Sequence, residues 1–434
     1  MQSKPRTNYS SFLIAATNSG CGKTTVTVGL LRALSRRGYA IRPFKCGPDY
    51  IDTQYHRIAA GVDSVNLDSR FTSPDHLRRV YAHYAASINV VEGVMGLFDG
   101  YDHAKGSSAE VAALLHLPVI LIVNARSMAY SAAAIIHGFA TFSKDIHVAG
   151  VIFNQVGSER HASFLRQACD DTNVPCLGCL PRIKEMEMPS RHLGLSLDNE
   201  RRINAMIELA ADAVEQHVDI DQLISLSHQK SESNQKPALF PDPSLGANPL
   251  ICPKPLRISV ARDAAFNFTY LENLDRLREL GTITFFSPIA DSQLPPTDLL
   301  YLPGGYPEFF LKELSSNSEM KASVSQYIEA GGKCLAECGG MMYLCDHIVG
   351  IDGQEYPMVG VLRQNATFQD MHLHLGYRQW EGTTTEGEPF SFNGHEFHYS
   401  TIIENRTPIY NYKNLRASYI HLYWGDKDIL NLWR

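Results

Sequence analysis

Five stretches of this chain combine residue types and spacings that can do chemistry. The first is Ser19-Gly20-Cys21-Gly22-Lys23-Thr24-Thr25. Small residues ending in Gly-Lys-Thr-Thr form a loop whose backbone N–H groups, with the dipole of a following helix, point at an anion. Ser19, Gly20, Gly22, Lys23, Thr24 and Thr25 are therefore expected to bind the phosphates of a nucleotide. Lys23 would reach the terminal phosphates and the Thr24 hydroxyl would hold Mg2+. Thr17 stands where the first glycine of the pattern is usual, and a turn that merely caps a helix is the alternative reading. The second stretch, Lys45 to Asp52, sets two acids, Asp49 and Asp52, just past a Gly-Pro turn. Acids there can hold Mg2+ or orient a nucleophile in phosphoryl transfer, although Asp is also a common helix N-cap. The third is Glu92, at the end of the apolar run Ile88 to Val91, where a metal-binding acid of the Walker-B type belongs. Thr24, Asp49 and Glu92 form the expected metal set.

The other two stretches lie far downstream. Ala336-Glu337-Cys338-Gly339-Gly340 has the small-residue pattern of a nucleophile elbow, which lifts a thiol above a sheet at a helix N-terminus. Such a place is expected to lower the thiol pKa. Amides after Cys338, with those of Gly304-Gly305, could bind an oxyanion. A cysteine nucleophile needs a histidine base. His347, His372, His374, His395, His398 and His421 are available, and His421, ending the run Arg416 to His421, has the better geometry. His395-Glu396-Phe397-His398 lacks the H-E-x-x-H spacing of a zinc site and lies in a strand pattern. Arg182, Lys184, Arg191 and His192 follow a strand and could meet an acidic substrate, or could simply be a solvated loop.

These residues need a scaffold. Phe12–Ala16, Ile88–Val91, Leu117–Val123 and Val148–Phe153 read as apolar strands buried on both faces, separated by helical stretches over Ala109–Leu115, Ala129–Phe139 and Arg160–Cys169. The pattern predicts an α/β fold with a P-loop doubly wound parallel sheet. Residues 228–254 are polar and proline-rich and read as a linker. A fresh α/β pattern starts at Leu256. The expected domains are 1–227, a P-loop nucleotide-binding domain, the linker 228–254, and 255–434, a second α/β domain.

The chain of 434 residues carries a net charge of −7, with 39 basic against 46 acidic residues, so nucleic acid and membrane surfaces are not expected partners. No apolar run approaches the ~18 residues of a membrane span, and the N-terminus lacks a signal-peptide core. A cytoplasmic location is expected. Nine cysteines stand mostly alone, and the pair Cys176/Cys179 has no second pair to complete a zinc site, so buried free thiols are expected.

GCGKTT, KCGPDYID, VEGVMGLFDG, RHLGL, LPGGYPE, AECGGMMYL, GHEFHYS and SYIHL follow one another in this order. In them the chain resembles the cobyrinate a,c-diamide synthases, glutamine-dependent amidotransferases of corrinoid biosynthesis. The resemblance covers essentially the whole chain outside the linker. It implies a dethiobiotin-synthetase-like ATP domain fused to a class I glutaminase domain, with ATP and Mg2+ as cofactors and a cobyrinate-type tetrapyrrole and glutamine as substrates. ATP would phosphorylate two carboxylates of the macrocycle, and ammonia from glutamine, sheltered on its way, would displace the phosphate. Carried over, Asp49, Glu92 and Asp99 sit at the metal and substrate carboxylate, Tyr50 and Asp52 line the substrate side, and Asn154 reads adenine. Arg191, His192, Gly304 and Gly305 contact substrates, Cys338 is the nucleophile and His421 its base. Hydrogenobyrinate and nickel-sirohydrochlorin are alternative acceptors, and a homodimer is possible. A partition-type P-loop switch ATPase is the competing class, but it has no need of a thiol at position 338. Two residues depart from the pattern. Position 423, where class I glutaminases usually carry Glu, is Tyr423, and Asn124 ends a strand where relatives often carry Asp.

Overall fold

The computed structural model describes residues 9–186, 197–228, 254–369, 371–403 and 409–434. The chain divides into two compact units, one reaching to Gly246 and one from Ala247 to Arg434.

The first unit alternates strands and helices: β1 (Ser10–Ala16), α1 (Lys23–Arg36), β2 (Ile41–Cys46), α2 (Ile51–Ala60), β3 (Val65–Leu67), α3 (Pro74–Tyr84), β4 (Ile88–Glu92), α4 (Ser108–Leu115), β5 (Val119–Asn124), α5 (Ala132–Thr141), β6 (Val148–Val156), α6 (Glu159–Thr172), β7 (Cys176–Pro181), α7 (Leu197–His217) and α8 (Ile220–Leu226). All seven strands are parallel, in the order β3-β2-β4-β1-β5-β6-β7. The chain switches direction around β1 and β4. In a doubly wound sheet the crevice beyond the carboxyl ends at that point is where ligands bind, and the loops after β1, β2 and β4 all open there. Every residue of β1 is buried, which is why it reads as a continuous apolar run.

Helix α1 buries Val26, Val28, Leu30, Leu31 and Leu34. Its far end pairs Arg36 with Glu208, Asp212 and Glu215 of α7. Exposed pairs of this kind contribute about 0–1 kcal/mol each, whereas each buried aliphatic side chain contributes about 1.5–3 kcal/mol, so apolar packing holds the helix to the sheet. Cys176 and Cys179 are free, as expected, but only half-buried. No group of three metal-ligating side chains forms, and no helix is long and apolar enough to cross a membrane, among the described residues.

The second unit comprises β8 (Leu256–Ala261), α9 (Leu271–Leu280), β9 (Gly281–Phe286), β10 (Leu299–Leu302), α10 (Leu311–Ser316), α11 (Ser318–Glu329), β11 (Lys333–Glu337), α12 (Gly339–Tyr343), β12 (Cys345–Val349), β13 (Glu355–Pro357), β14 (Leu362–Thr367), β15 (His374–Thr383), β16 (Pro389–His398), β17 (Thr401–Ile402), β18 (Ile409–Tyr412), β19 (Leu415–Ser418) and β20 (His421–Tyr423). Its main sheet runs β18-β19-β11-β10-β8-β9, parallel except for the edge strand β18. An antiparallel sheet β15-β16-β20 stands apart from it.

Arg416 to His421 is not one strand. β19 lies in the main sheet with Ser418 beside Glu337, and β20 then joins β16. Ser418 makes the break: its hydroxyl accepts from the Ile420 N–H at 3.1 Å, a local bond that competes with the sheet ladder.

Candidate active sites

In the first unit the loop after β1 turns through left-handed Gly20 (φ 82) and Gly22 (φ 87). A Cβ on Gly22 would stand 2.1 Å from the Asn154 side-chain nitrogen, so only glycine fits. Asn154 Nδ2 donates to the Cys21 carbonyl at 2.9 Å, and its Oδ1 accepts from Gln155 N–H at 2.9 Å. The side chain expected to read adenine is thus committed to the back of the phosphate loop. Ser19 and Gly20 are exposed at the loop tip, while Thr25 is buried and its hydroxyl faces the Met186 carbonyl at 3.4 Å. Lys23 Nζ donates to the Met95 carbonyl at 2.8 Å.

The Thr24 hydroxyl donates to Glu92 Oε1 at 2.7 Å. Glu92, 0% exposed, also meets His56 Nε2 at 2.7 Å and Lys45 Nζ at 3.4 Å. Lys45 in turn pairs with Asp52 at 2.9 Å and donates to the Gly93 carbonyl at 2.9 Å. His56 Nδ1 lies 3.0 Å from the Ser64 hydroxyl. Burial alone would push the Glu92 carboxyl up, but Lys45 and His56 outweigh it and hold the group well below the usual carboxylate range. Burial likewise opposes the Lys45 charge, and Asp52, Glu92 and Asp49 overcome it, so its ammonium is held above the ordinary value. Lys23, desolvated and repelled by Lys45, is lowered to about 8. The network stays ionised at neutral pH because each buried charge has an opposite neighbour.

A divalent cation fits this donor set. Thr24 and Glu92 bring a hydroxyl and an ionised carboxylate together, the hard oxygens Mg2+ takes alongside phosphates and water. The two acids after β2 part company. Asp49 Oδ1 accepts from the amides of Ile51 at 2.8 Å and Asp52 at 3.0 Å and so caps α2, whereas Asp52 is buried against Lys45. Tyr50 is 5% exposed. Asp99 is exposed, and its carboxylate closes the loop after β4 by accepting from Gly96 N–H at 3.0 Å. Asn124 Oδ1 accepts from Arg126 N–H at 3.0 Å, capping the turn after β5. Arg191 and His192 lie outside the described residues.

In the second unit, β11 ends in Cys338 at φ 46 and ψ −106, and α12 begins at the next residue. A non-glycine residue held there is strained, as at the elbow the sequence predicts. The Cys338 N–H donates to the Ser418 carbonyl at 2.7 Å, tying the elbow to the end of β19. His421 follows three residues later and is 0% exposed. A Cβ on Gly304 would stand 2.1 Å from His421 Cε1, and a Cβ on Gly339 would stand 3.1 Å from the Gly305 nitrogen. His421, the Gly304-Gly305 turn and the elbow are therefore mutually packed.

The thiol pKa is not lowered. Burial pushes Cys338 up, and the Gly339 amide of a five-residue helix does not compensate. Burial, with His395 and His398, also pushes His421 well below its ordinary value. A neutral thiol can react with a neutral imidazole as base when the proton passes from one to the other during attack. Glu337, 1% exposed, accepts from the Tyr301 hydroxyl at 2.8 Å and from Leu422 N–H at 3.0 Å, and burial pushes its carboxyl up to about 8.

Residues 12–195 match the CobQ/CobB/MinD/ParA nucleotide binding domain and residues 257–428 the CobB/CobQ-like glutamine amidotransferase domain. A hydrogenobyrinate a,c-diamide synthase of Brucella anthropi is 42% identical over 400 residues, covering 90% of this chain and 89% of the relative. A cobyrinate a,c-diamide synthase of Listeria innocua is 39% identical over 433 residues, covering 97% and 92%. The chain belongs to the cobyrinate/hydrogenobyrinate a,c-diamide synthase family. As a diamide synthase of this kind it is a glutamine-dependent carbon–nitrogen ligase, with a nucleotide-binding unit and an amidotransferase unit. Lys45 and His56 in the candidate site of the first unit, and Glu337 in that of the second, are residues that sequence reasoning missed. Lys45 opens the Lys-Cys-Gly-Pro-Asp stretch, and Glu337 immediately precedes the thiol, so their positions were signals. His56 stands alone in a helix and gave none.

Proposed function

We propose that this chain converts two acetate-type carboxylates, a and c, of a cobyrinate or hydrogenobyrinate macrocycle into amides, using ATP, Mg2+ and glutamine. The observation that carries the reading is the strained Cys338 elbow, with the Gly304-Gly305 turn packed against both it and His421, in the same chain as a phosphate loop whose threonine is bonded to a buried glutamate. A nucleotide switch has no use for the first of these.

In the first unit Thr24 and Glu92 would hold Mg2+, which would supply charge neutralisation at the phosphates, with Asp49 close by at the start of α2. Asn154 holds the shape of the phosphate loop. Lys23 draws the terminal phosphate, and Lys45, buried between Asp52 and Glu92, keeps both carboxylates ionised. Tyr50 and Asp99 flank the acceptor. An acceptor carboxylate oxygen bonds to the γ-phosphorus and ADP leaves. Ammonia then bonds to the acyl carbon and inorganic phosphate leaves. The acyl phosphate is needed because a carboxylate is a poor electrophile.

In the second unit the Cys338 sulfur bonds to the amide carbon of glutamine while its proton passes to His421. The oxyanion meets the amides of Gly305 and Gly339. His421 returns the proton to the leaving nitrogen, ammonia departs, and water hydrolyses the thioester to glutamate.

The test is mass spectrometry of the macrocycle after incubation with ATP, Mg2+ and glutamine, with cobyrinate, hydrogenobyrinate and nickel-sirohydrochlorin offered separately. Exchange of OH for NH2, twice on one acceptor, is the expected result. ATP hydrolysis with no change on any acceptor would overturn the reading.

A further inference from the structure

We propose that His395 is the positioning residue of the glutaminase base, holding the His421 ring by its face. The proposal rests on the glutaminase reading of Cys338 and His421. β16 and β20 are antiparallel, and His395 pairs directly with His421. Directly opposite residues put their side chains on one face of the sheet. The two rings stack with centroids 5.1 Å apart and planes at 23°. His395 is 2% exposed, and its Nδ1 lies 3.0 Å from the hydroxyl of Tyr270, itself 2% exposed.

The residue at 423 completes the arrangement. The Tyr423 ring packs edge-on against Tyr270, 5.5 Å between centroids at 74°, and its hydroxyl is hydrogen-bonded to the Glu272 carboxylate. Glu272 thereby fixes the Tyr423 ring against Tyr270. The chain of contacts runs from Glu272 to Tyr423, Tyr270, His395 and His421.

The His421 ring is met from several directions: the Phe268 ring stands tilted against it, 6.0 Å between centroids at 50°, and two further contacts are differently placed. The Gly304 backbone meets it at the Cε1 edge, and His395 covers a face. An edge contact alone lets a ring tilt about the line of contact. A stacked neighbour, itself fixed by a hydrogen bond, removes that freedom. Glu337 acts differently, since it binds the main chain at Leu422 and fixes the strand rather than the ring.

The experiment uses the full chain and measures kcat and KM for glutamine hydrolysis, with ammonia-supported amidation as a control of the fold. His395→Ala is expected to lower kcat about 10- to 100-fold, the cost of a base displaced by up to about 1 Å, with KM within about twofold. His395→Phe keeps a flat ring on His421 and is expected to recover most of that loss, which a merely structural role does not predict. Tyr270→Phe is expected to fall between the two. A His395→Ala enzyme with unchanged kcat, or one whose ammonia-supported activity falls equally, overturns the proposal. So does a His395→Phe enzyme no better than His395→Ala, which also decides the matter if the alanine variant does not fold. A wild-type chain that releases no ammonia from glutamine overturns the functional reading and this proposal with it. A glutaminase indifferent to His395→Ala overturns the proposal alone.

Discussion

Gly304→Ala puts the packing of the glutaminase site to a sharp test. The added Cβ would stand 2.1 Å from His421 Cε1, so reaching ordinary carbon contact of about 3.5 Å requires a displacement of about 1.4 Å. The backbone at 304 cannot easily supply it, because its carbonyl accepts from the amides of Asn267 at 3.1 Å and Phe268 at 3.0 Å. The imidazole must move instead. Misplacing a catalytic group by about 1 Å costs about 100-fold, or about 2.7 kcal/mol of transition-state stabilisation. Glutamine hydrolysis by Gly304→Ala is expected to fall at least that far in kcat. Ammonia-supported amidation should be unchanged, since it bypasses Cys338. Steady-state assays with glutamine and with ammonium chloride, run on the same preparation, give both numbers. A variant that hydrolyses glutamine at the wild-type rate would refute the reasoning, because a base that can shift so far without loss is not the base.

Four further outcomes follow from the same geometry. Because burial raises the Cys338 pKa, its alkylation by iodoacetamide at pH 8 should be slower than that of free cysteine and should accelerate only at higher pH, as followed by peptide mass mapping; a fast, pH-independent reaction would mean a resting thiolate. Lys45→Met leaves Asp52 and Glu92 buried without their cation and should cost about 3–5 kcal/mol, read from thermal unfolding; an unchanged Tm would argue against the network. The folded-state pKa of Glu92 is depressed, so its contribution to stability is complete above the ordinary carboxyl value of about 4.3 and is lost as pH falls through the folded value. Glu92→Gln should therefore flatten the acid limb of stability against pH, and an acid limb as steep as the wild type's would contradict the assignment. Asn154→Ala removes the bond to the Cys21 carbonyl, worth about 1 kcal/mol, and should raise the KM for ATP about fivefold without altering the preference for ATP over GTP. A changed preference would restore the base-reading role.

The sequence disclosed the first unit well because a parallel sheet covered on both faces leaves unbroken apolar runs, and each run here ends where its chemistry begins. The phosphate loop and the elbow were legible for a second reason: both need glycine or small residues at fixed positions. Partners from elsewhere in the chain were not legible. His56 meets Glu92 across 36 residues and His395 meets His421 through strand pairing, neither of which leaves a local pattern. Asp49 shows the opposite difficulty, since an acid after a Gly-Pro turn suits a metal and a helix cap equally, and its oxygen is seen capping α2. The thiol pKa went astray because proximity to a helix N-terminus is visible in a sequence and full burial at the same atom is not. Of the strands between residues 345 and 412 only the stretch around His395–His398 was legible; the others are half-exposed and mostly antiparallel, and so carry weak hydrophobic signals.

The strand order of the first unit also governs when its site can exist. β1 and β2 are consecutive in the chain but do not touch; β4 lies between them. A growing chain that has made both can pair neither with its final neighbour on that side until the residues up to Glu92 have emerged. At about 5–20 residues per second, the roughly 40 residues from the end of β2 to the start of β4 take about 2–8 s to make. For that interval two apolar strands wait with open edges, and their crossover must hold a gap one strand wide. The arrival of β4 fills the gap and brings Glu92 to Thr24 and Lys45 in one step. Insertion of β4 and the meeting of Glu92 with Thr24 and Lys45 are then a single event, so a nascent chain stalled before β4 exposes aggregation-prone edges and lacks the acid beside its phosphate loop.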